Sequence, residues 1–238
     1  KKEDIHKIME NILYEFPLAA IEFYMPKWVE MLPNDNRMKQ DIIEKYGADI
    51  LRLWVTSADY KTDMRISDEI LKQLSEAYRK IRNTARYILG NISDFDPKAD
   101  MVADTDYTEL DKWALMKLSK LIDKVTKAYE DYEFHIIFHA IHNFCVVDMS
   151  NFYLDIIKDR LYTEKADSTL RRAAQSAMFK ILSALTRFVA PVLAYTSEEI
   201  WQFMPHAADE DAKSVLFNEM PKAEDKFTSE EFEAKWEK

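Results

Sequence analysis

The sequence predicts an all-α fold, an antiparallel bundle of helices, and three observations predict it. Only two glycines and seven prolines occur in 238 residues, which leaves few sites for hairpin turns or glycine-rich phosphate loops. Long stretches place apolar residues at alternating spacings of three and four, the period of one helix face. The chain is 47% hydrophobic and 13% aromatic, enough to bury a sizeable core in one large domain or two small ones. Two isolated glycines cannot supply a Gly-x-Gly fingerprint or a P-loop.

Taken in order, Ile5, Ile8, Met9, Ile12, Leu13 and Phe16 predict an amphipathic helix ended by Pro17. Phe23, Trp28, Val29 and Leu32 add apolar contact between Pro26 and Pro33. The next stretch organises the rest. Leu71, Leu74, Tyr78, Ile81, Ala85 and Ile88 form one apolar stripe. Ser67 is placed to cap its amino end, Asp68 and Glu69 suit the positive end of the dipole, and Gly90 with Asn91 supplies a left-handed stop. Beside that stripe Arg79, Arg82 and Arg86 lie within about 60° of one another, with Lys72 nearby. Such a row either stands in solvent, paired with acids of neighbouring helices, or reaches phosphates.

The wording of this region also carries a resemblance. KYGADILRLWV, RISDEILKQ, YRKIRNT and ARYILGN together resemble isoleucyl-tRNA synthetase just after its catalytic domain. RRAAQSAMFKILSALTRFVAPVLAYTSEEIWQ and SVLFNEMP extend the resemblance over roughly residues 40 to 238. The valine, leucine and methionine enzymes share the Tyr-Gly-Ala-Asp start, but ILRLWV and RISDEILKQ resemble the isoleucine enzyme. The resemblance implies the anticodon-binding bundle of a class I aminoacyl-tRNA synthetase. Its organisation would be an unmatched helical segment over 1–39, a stem-contact segment over 40–66, the bundle over 67–205 and a truncated extension over 206–238. In that family a Lys-Met-Ser-Lys-Ser loop would stand just before QDIIEKYG, where this chain reads NDNRMK, and no His-Ile-Gly-His motif is present. The resemblance therefore implies a piece with no catalytic residues, inactive alone. ATP and magnesium would serve a catalytic domain outside it, and many bacterial members carry a cysteine-rich zinc region further on.

Composition limits the remaining choices. The single cysteine, Cys145, excludes an internal disulfide and a cysteine-based zinc site, and fits a reducing, cytoplasmic setting. No apolar run approaches the roughly 20 residues of a membrane span. A net charge of −10 means that any contact with RNA must be local.

Further along, Lys117-Leu118-Ser119-Lys120 imitates the Lys-Met-Ser-Lys-Ser loop, but it sits inside a helical pattern with Leu110, Trp113, Leu121, Ile122 and Val125. Thr108 and Asp111 resemble a capping pair. From Phe134 to Tyr162 runs the most apolar helix, with Phe134, Ile137, Phe138, Ile141, Phe144, Cys145 and Phe152 on one face and Asp148 within it. A carboxylate there needs a partner, and a structural ion pair of Arg82 with Asp148 is expected. His135, His139 and His142 recur at i, i+4 and i+7, away from the apolar face; the spacing would allow a shared metal, but with no His-Glu-x-x-His arrangement and no further ligand in the pattern, no metal is expected.

Ser168 is placed to cap a helix carrying Leu170, Ala174, Met178, Ile181, Leu185 and Phe188, which Pro191 ends. Arg171 and Arg172 in its first turn oppose the dipole, so they serve either a phosphate or a neighbouring carboxylate. Thr196 with Glu199 resembles a capping box before Pro205. An acidic loop over 206–213 leads to SVLFNEM, read as a short extended piece, and Thr228 with Glu231 suggests a cap for a last helix bearing Phe232 and Trp236.

The expected function is tRNA binding by a monomer, with Lys72, Arg79, Arg82, Arg86, Arg171 and Arg172 on the RNA backbone and isoleucine tRNA as the partner the resemblance implies. Two other classes stay open: a helical module that binds another protein, and a metal-binding helical protein built on the histidine row. A pull-down with and without ribonuclease separates the first from RNA binding.

Overall fold

The computed structural model describes residues 37–59, 61 and 65–236. The helix expected over residues 5–16 and the apolar contacts of Phe23 to Leu32 lie outside the described residues. Helices α1 (Arg37–Tyr46) and α2 (Ala48–Ser57) come first, joined at Gly47. That glycine has φ 90°, a left-handed value that a side chain would resist, so the residue type fixes the corner. The long helix α3 (Asp68–Asn91) follows, then α4 (Glu109–Glu130) and α5 (Phe134–Asn143). Helix α5 continues as a π-helical stretch over Phe144–Tyr153, succeeded by the short α6 (Leu154–Ile156) and α7 (Lys158–Thr163). Helices α8 (Thr169–Val189) and α9 (Ala194–Phe203), two 3-10 turns and α10 (Glu230–Trp236) complete the chain. Among the described residues there is no strand.

Local signals set several of the helix starts. Ser67 Oγ accepts from the Ile70 amide at 3.2 Å, and Ser168 Oγ accepts from that of Arg171 at 3.2 Å. Thr108 and Asp111 form a full capping box. Other expected ends are corrected. Gly90 is an ordinary helical residue, because α3 runs on to Asn91 and the Ile92 amide closes onto the Ile88 carbonyl at 3.0 Å. Helix α9 starts at Ala194, before Thr196, and Thr196 instead meets Asp49. Ser229, not Thr228, accepts from the Phe232 amide at the start of α10. The SVLFNEM segment forms a 3-10 turn over Val215–Phe217 rather than an extended piece.

The core gathers α3, α4, α5, the π stretch and α8 around fully buried Ile88, Met149, Tyr153, Met178, Ile181, Leu182 and Phe188. Burial of that much apolar side chain is the main stabilising term, at roughly 25 cal/mol per Å². The wheel used for residues 144–153 assumes 3.6 residues per turn, whereas a π-helix is wider. Cys145, Met149, Tyr153 and Ile157 are accordingly buried at every fourth position. Asp148 is thereby turned to the rim of the apolar face, its side chain 18% exposed, with Lys117 Nζ at 3.7 Å. The expected Arg82–Asp148 pair is not formed: the Arg82 guanidinium is 3.9 Å from Glu199 on α9 instead.

The segment read as an extension folds back onto α4. Trp236 lies against Trp113 at 5.8 Å and Phe152 at 6.2 Å between ring centroids. Lys120 meets Glu233 at 2.6 Å, and Lys235 is paired with Glu109. Glu210, from the acidic loop over 206–213, has its side chain nearly buried and accepts from Ser183 Oγ at 2.5 Å and the Ala207 amide at 2.9 Å.

The deepest charge is Asp111, fully buried at the start of α4. Arg160 of α7 grips both of its oxygens, at 2.8 and 2.9 Å. The Tyr153 hydroxyl donates to it at 2.8 Å and the Thr108 amide at 3.0 Å. A buried carboxylate is tolerable only with such a full set of donors. This cluster fixes α7, and the side chains it displays, against the bundle.

Candidate nucleic-acid interface

Helix α3 buries Leu71, Leu74, Ile81, Thr84, Ala85 and Ile88. The remaining arc faces water and is strongly basic. Lys72, Arg79, Lys80, Arg82 and Arg86 are all exposed or nearly so, and after the first turn the only carboxylate on the helix is Glu76. At 1.5 Å per residue, Lys72 to Arg86 covers about 21 Å. In a chain of net charge −10 this is a local reversal of sign of the kind phosphate binding needs.

The guanidinium and ammonium groups of this strip remain available. Among the described residues Arg79 is held only by Glu76, one turn earlier, at 2.8 Å, with both side chains over 60% exposed. Arg82 and Glu199 are separated by 3.9 Å and are both more than half exposed. Exposed pairs of this kind contribute about 0–1 kcal/mol and yield to competing anions. Lys72 and Arg86 form no ion pair among the described residues. Lys80, which is not among the cations expected from the sequence, belongs to the same surface; it stands on the side of α3 that faces α5, where its charge, after burial, helps depress the His142 imidazole.

Arg171 and Arg172 are placed elsewhere. Arg171 is 15% exposed and makes a two-pronged contact with Asp94, at 2.6 and 3.0 Å, while also donating to the carbonyls of Leu161 and Ala166. Arg172 donates to the Asp94 carbonyl at 2.9 Å and to Gln175 at 2.9 Å, with Asp100 at 3.5 Å. These two arginines tie α8 to the α3–α4 connection: Arg171 engages all three of its side-chain nitrogens in doing so, and Arg172, 16% exposed, is held there through Nη1. Hydrogen bonds from Arg171 first, with a further one from Gln175, hold the Asp94 carboxyl at about 2, against the opposing effect of burial.

The other candidates resolve just as plainly. Within Lys117–Lys120, Ser119 is buried, while the two lysines are engaged by Asp148 and Glu233. His135 and His142 are half-buried and only His139 is exposed, so the row is not the free surface expected. Among the described residues no group of three or more His, Cys, Asp or Glu comes together to hold a metal. Cys145 is fully buried, and burial pushes its thiol up to about 12, which makes it inert as a ligand or nucleophile.

The strip is oriented by a latch beside it, where α3 meets α2 and α9. Arg52 of α2 donates to the carbonyls of Val192 at 2.8 Å and Pro191 at 2.6 Å, just past the end of α8. One turn earlier, buried Asp49 accepts from the Thr196 amide at 2.9 Å and its hydroxyl at 2.5 Å, in the first turn of α9. Tyr78 of α3 completes the chain by donating to Thr196 Oγ1 at 2.8 Å. Positive charge at a helix end and negative charge at a helix start both match the dipoles.

Comparison with known proteins is consistent with this geometry. Residues 111–238 match the family described as the anticodon-binding domain of tRNA ligase. The isoleucine–tRNA ligase of Syntrophotalea carbinolica is 61% identical over 182 residues, covering 76% of this chain and 20% of that protein. That of Caldicellulosiruptor saccharolyticus is 57% identical over 199 residues, covering 83% and 22%. The chain thus spans about a fifth of the length of these curated relatives. Among solved structures, the ternary complex of Agrobacterium radiobacter K84 agnB2 LeuRS, tRNA and LeuAMS aligns with a TM-score of 0.55 at 18% identity, over 79% of this chain and 21% of that one. That likeness concerns the fold.

Proposed function

The chain belongs to the family of anticodon-binding domains of tRNA ligases, and from that premise we propose that it is the tRNA-holding helical part of an isoleucine–tRNA ligase. The observation that carries the reading is the exposed basic face of α3, where after the first turn five cations meet a single acid of the helix in an otherwise acidic molecule. Arginine and lysine on a rigid helix fix the register of an RNA backbone, and the specific reading of bases is left to other groups. Arg171 and Arg172 leave the set of backbone contacts and Lys80 joins it.

In this reading the tRNA is bound by a single copy of the chain in the cytoplasm, and its isoleucine identity follows from the wording of the relatives. ATP and magnesium act in a part of the ligase outside this chain, where the amino acid is activated and passed to the tRNA end. The contribution of the helices is placement: they hold the RNA so that its far end reaches that chemistry.

The test is a filter-binding titration of isoleucine tRNA over a salt series. Arg79→Ala is expected to weaken binding and to flatten the plot of log affinity against log salt by about one unit, because one fewer phosphate is neutralised. An unchanged slope contradicts the assignment of Arg79, and equal affinity for an unrelated tRNA contradicts the isoleucine reading.

A further inference from the structure

The fold brings the histidine row of α5 up beside the basic strip of α3. Phe138 and Ile141 of α5 line a cavity together with Ile81 of α3. The Phe138 ring in turn has the His142 imidazole at 6.0 Å and that of His139 at 5.2 Å between centroids. One turn further on, Thr84 Oγ1 meets Ser150 Oγ at 3.0 Å and the Cys145 carbonyl at 3.4 Å, so the two helices run alongside one another here. Lys80, which adjoins Ile81, and His142, which adjoins Ile141, therefore stand on the two rims of one groove.

The groove is short of acid. Helix α5 carries no Asp or Glu between Phe134 and Asn143, and the next carboxylate along the chain, Asp148, is turned to Lys117 at 3.7 Å. On α3 the nearby Glu76 is paired with Arg79 at 2.8 Å. Lys80 is exposed and without an ion pair among the described residues, His139 is exposed and His142 is half-buried. Burial first, then the Lys80 ammonium and the His139 imidazole, lowers His142 below the ordinary histidine value; no charged group of α2 or α4, which also pack against α5, acts on it. The counter-charge missing from this groove is one that an arriving phosphate would supply.

We propose that this groove is a phosphate seat for the bound tRNA, with Lys80 on one wall and His142 and His139 on the other. The seat rests on the tRNA-holding reading and widens the RNA surface from one helix to two. A phosphate between these walls stabilises the charged form of an imidazole, so a proton is taken from the solvent as the tRNA binds. Binding is thereby linked to pH and tightens as pH falls through the histidine range. The arginines of α3 show no such exchange, because they stay charged throughout.

The experiment measures isoleucine tRNA binding to the full chain between about pH 8 and pH 6 at fixed salt. Parent affinity is expected to rise about five- to twentyfold as pH falls, the yield of one or two imidazoles each raised by about a unit on binding. Calorimetry in two buffers of different ionisation enthalpy should count the proton uptake. The double variant His139→Gln, His142→Gln should bind as the parent does at the high-pH end and lose the rise. His206→Gln, whose imidazole lies against Trp201 of α9 instead, should keep it. His139→Lys, a permanent charge at an exposed position, should bind more tightly than the parent at the high-pH end and show a smaller rise. A parent affinity that does not change with pH, a rise undiminished in the double variant, or an unchanged affinity of His139→Lys at high pH overturns the seat; the α3 strip then stands if Arg79→Ala is still weakened. Should the parent chain bind no tRNA at all, both fall.

Discussion

Asp94 shows what one side chain can do in this molecule. It sits in the connection after α3 and takes the guanidinium of Arg171, at 2.6 and 3.0 Å, and the Gln175 amide at 2.8 Å. Its carboxyl is held at about 2, below the ordinary 3.8. A depressed carboxylate contributes stability above its unfolded value and loses it as pH falls toward the folded one. The melting temperature of the parent chain should therefore exceed that of Asp94→Asn at pH 6, with the gap closing between about pH 4 and pH 2. A gap that persists unchanged to pH 2 contradicts this role. Residues of this kind are only half legible in the sequence. The unfavourable position of Arg171 and Arg172 in a first turn is a local fact that the sequence displays; their partner lies 77 residues away from Arg171 and becomes visible only once the chain folds. The same holds for Asp111, recognisable as a cap for Thr108 but not as the buried anchor of Arg160, 49 residues on.

At the level of elements, α2 is set by two charges one turn apart. Asp49 faces the start of α9 and Arg52 the end of α8, so the Ala-Asp-Ile-Leu-Arg wording has a physical reason: it clasps one corner. Arg52→Ala removes donors from the carbonyls of Pro191 and Val192, at a cost of roughly 2 kcal/mol. Hydrogen exchange in residues 48–57 is expected to speed up about thirtyfold, the rate equivalent of that cost, while α4 keeps its protection; uniform acceleration across the bundle would contradict a local latch. Helices whose ends are marked by nearby side chains, α3, α4 and α8, are legible from the sequence because caps act within three residues. Helix α9 misleads for an instructive reason. Thr196 and Glu199 have the spacing of a capping box, yet the Thr196 amide is taken by a carboxylate 147 positions earlier. The π-helical stretch defeats the wheel in another way: a period of 3.6 does not apply where the turn is wider, and Asp148 therefore meets Lys117 rather than Arg82.

For the whole molecule the governing quantity is how charge is distributed. A net charge of −10 argues against nucleic acid only if it is spread evenly, and it is not. The acids gather in the connections and in the segment after α9, where Lys120, Lys180, Lys226 and Lys235 are bound up in ion pairs. The exposed face of α3 keeps its cations. Helical period alone predicts the Arg79, Arg82 and Arg86 face, since their mutual angle does not depend on tertiary structure. It misses Lys80 because that residue lies at the edge of the arc, where only packing against α5 decides whether it is covered. The most direct test neutralises the face as a unit. Isoleucine tRNA binding over a salt series is compared between the parent chain, a variant with Lys72, Arg79, Arg82 and Arg86 changed to glutamine, and a control with Lys120 and Lys235 changed likewise. The first variant is expected to bind far more weakly, its slope reduced by roughly one unit for each cation that meets a phosphate, with the control unchanged. Equal slopes for the parent and the first variant would contradict the tRNA-holding role of the face.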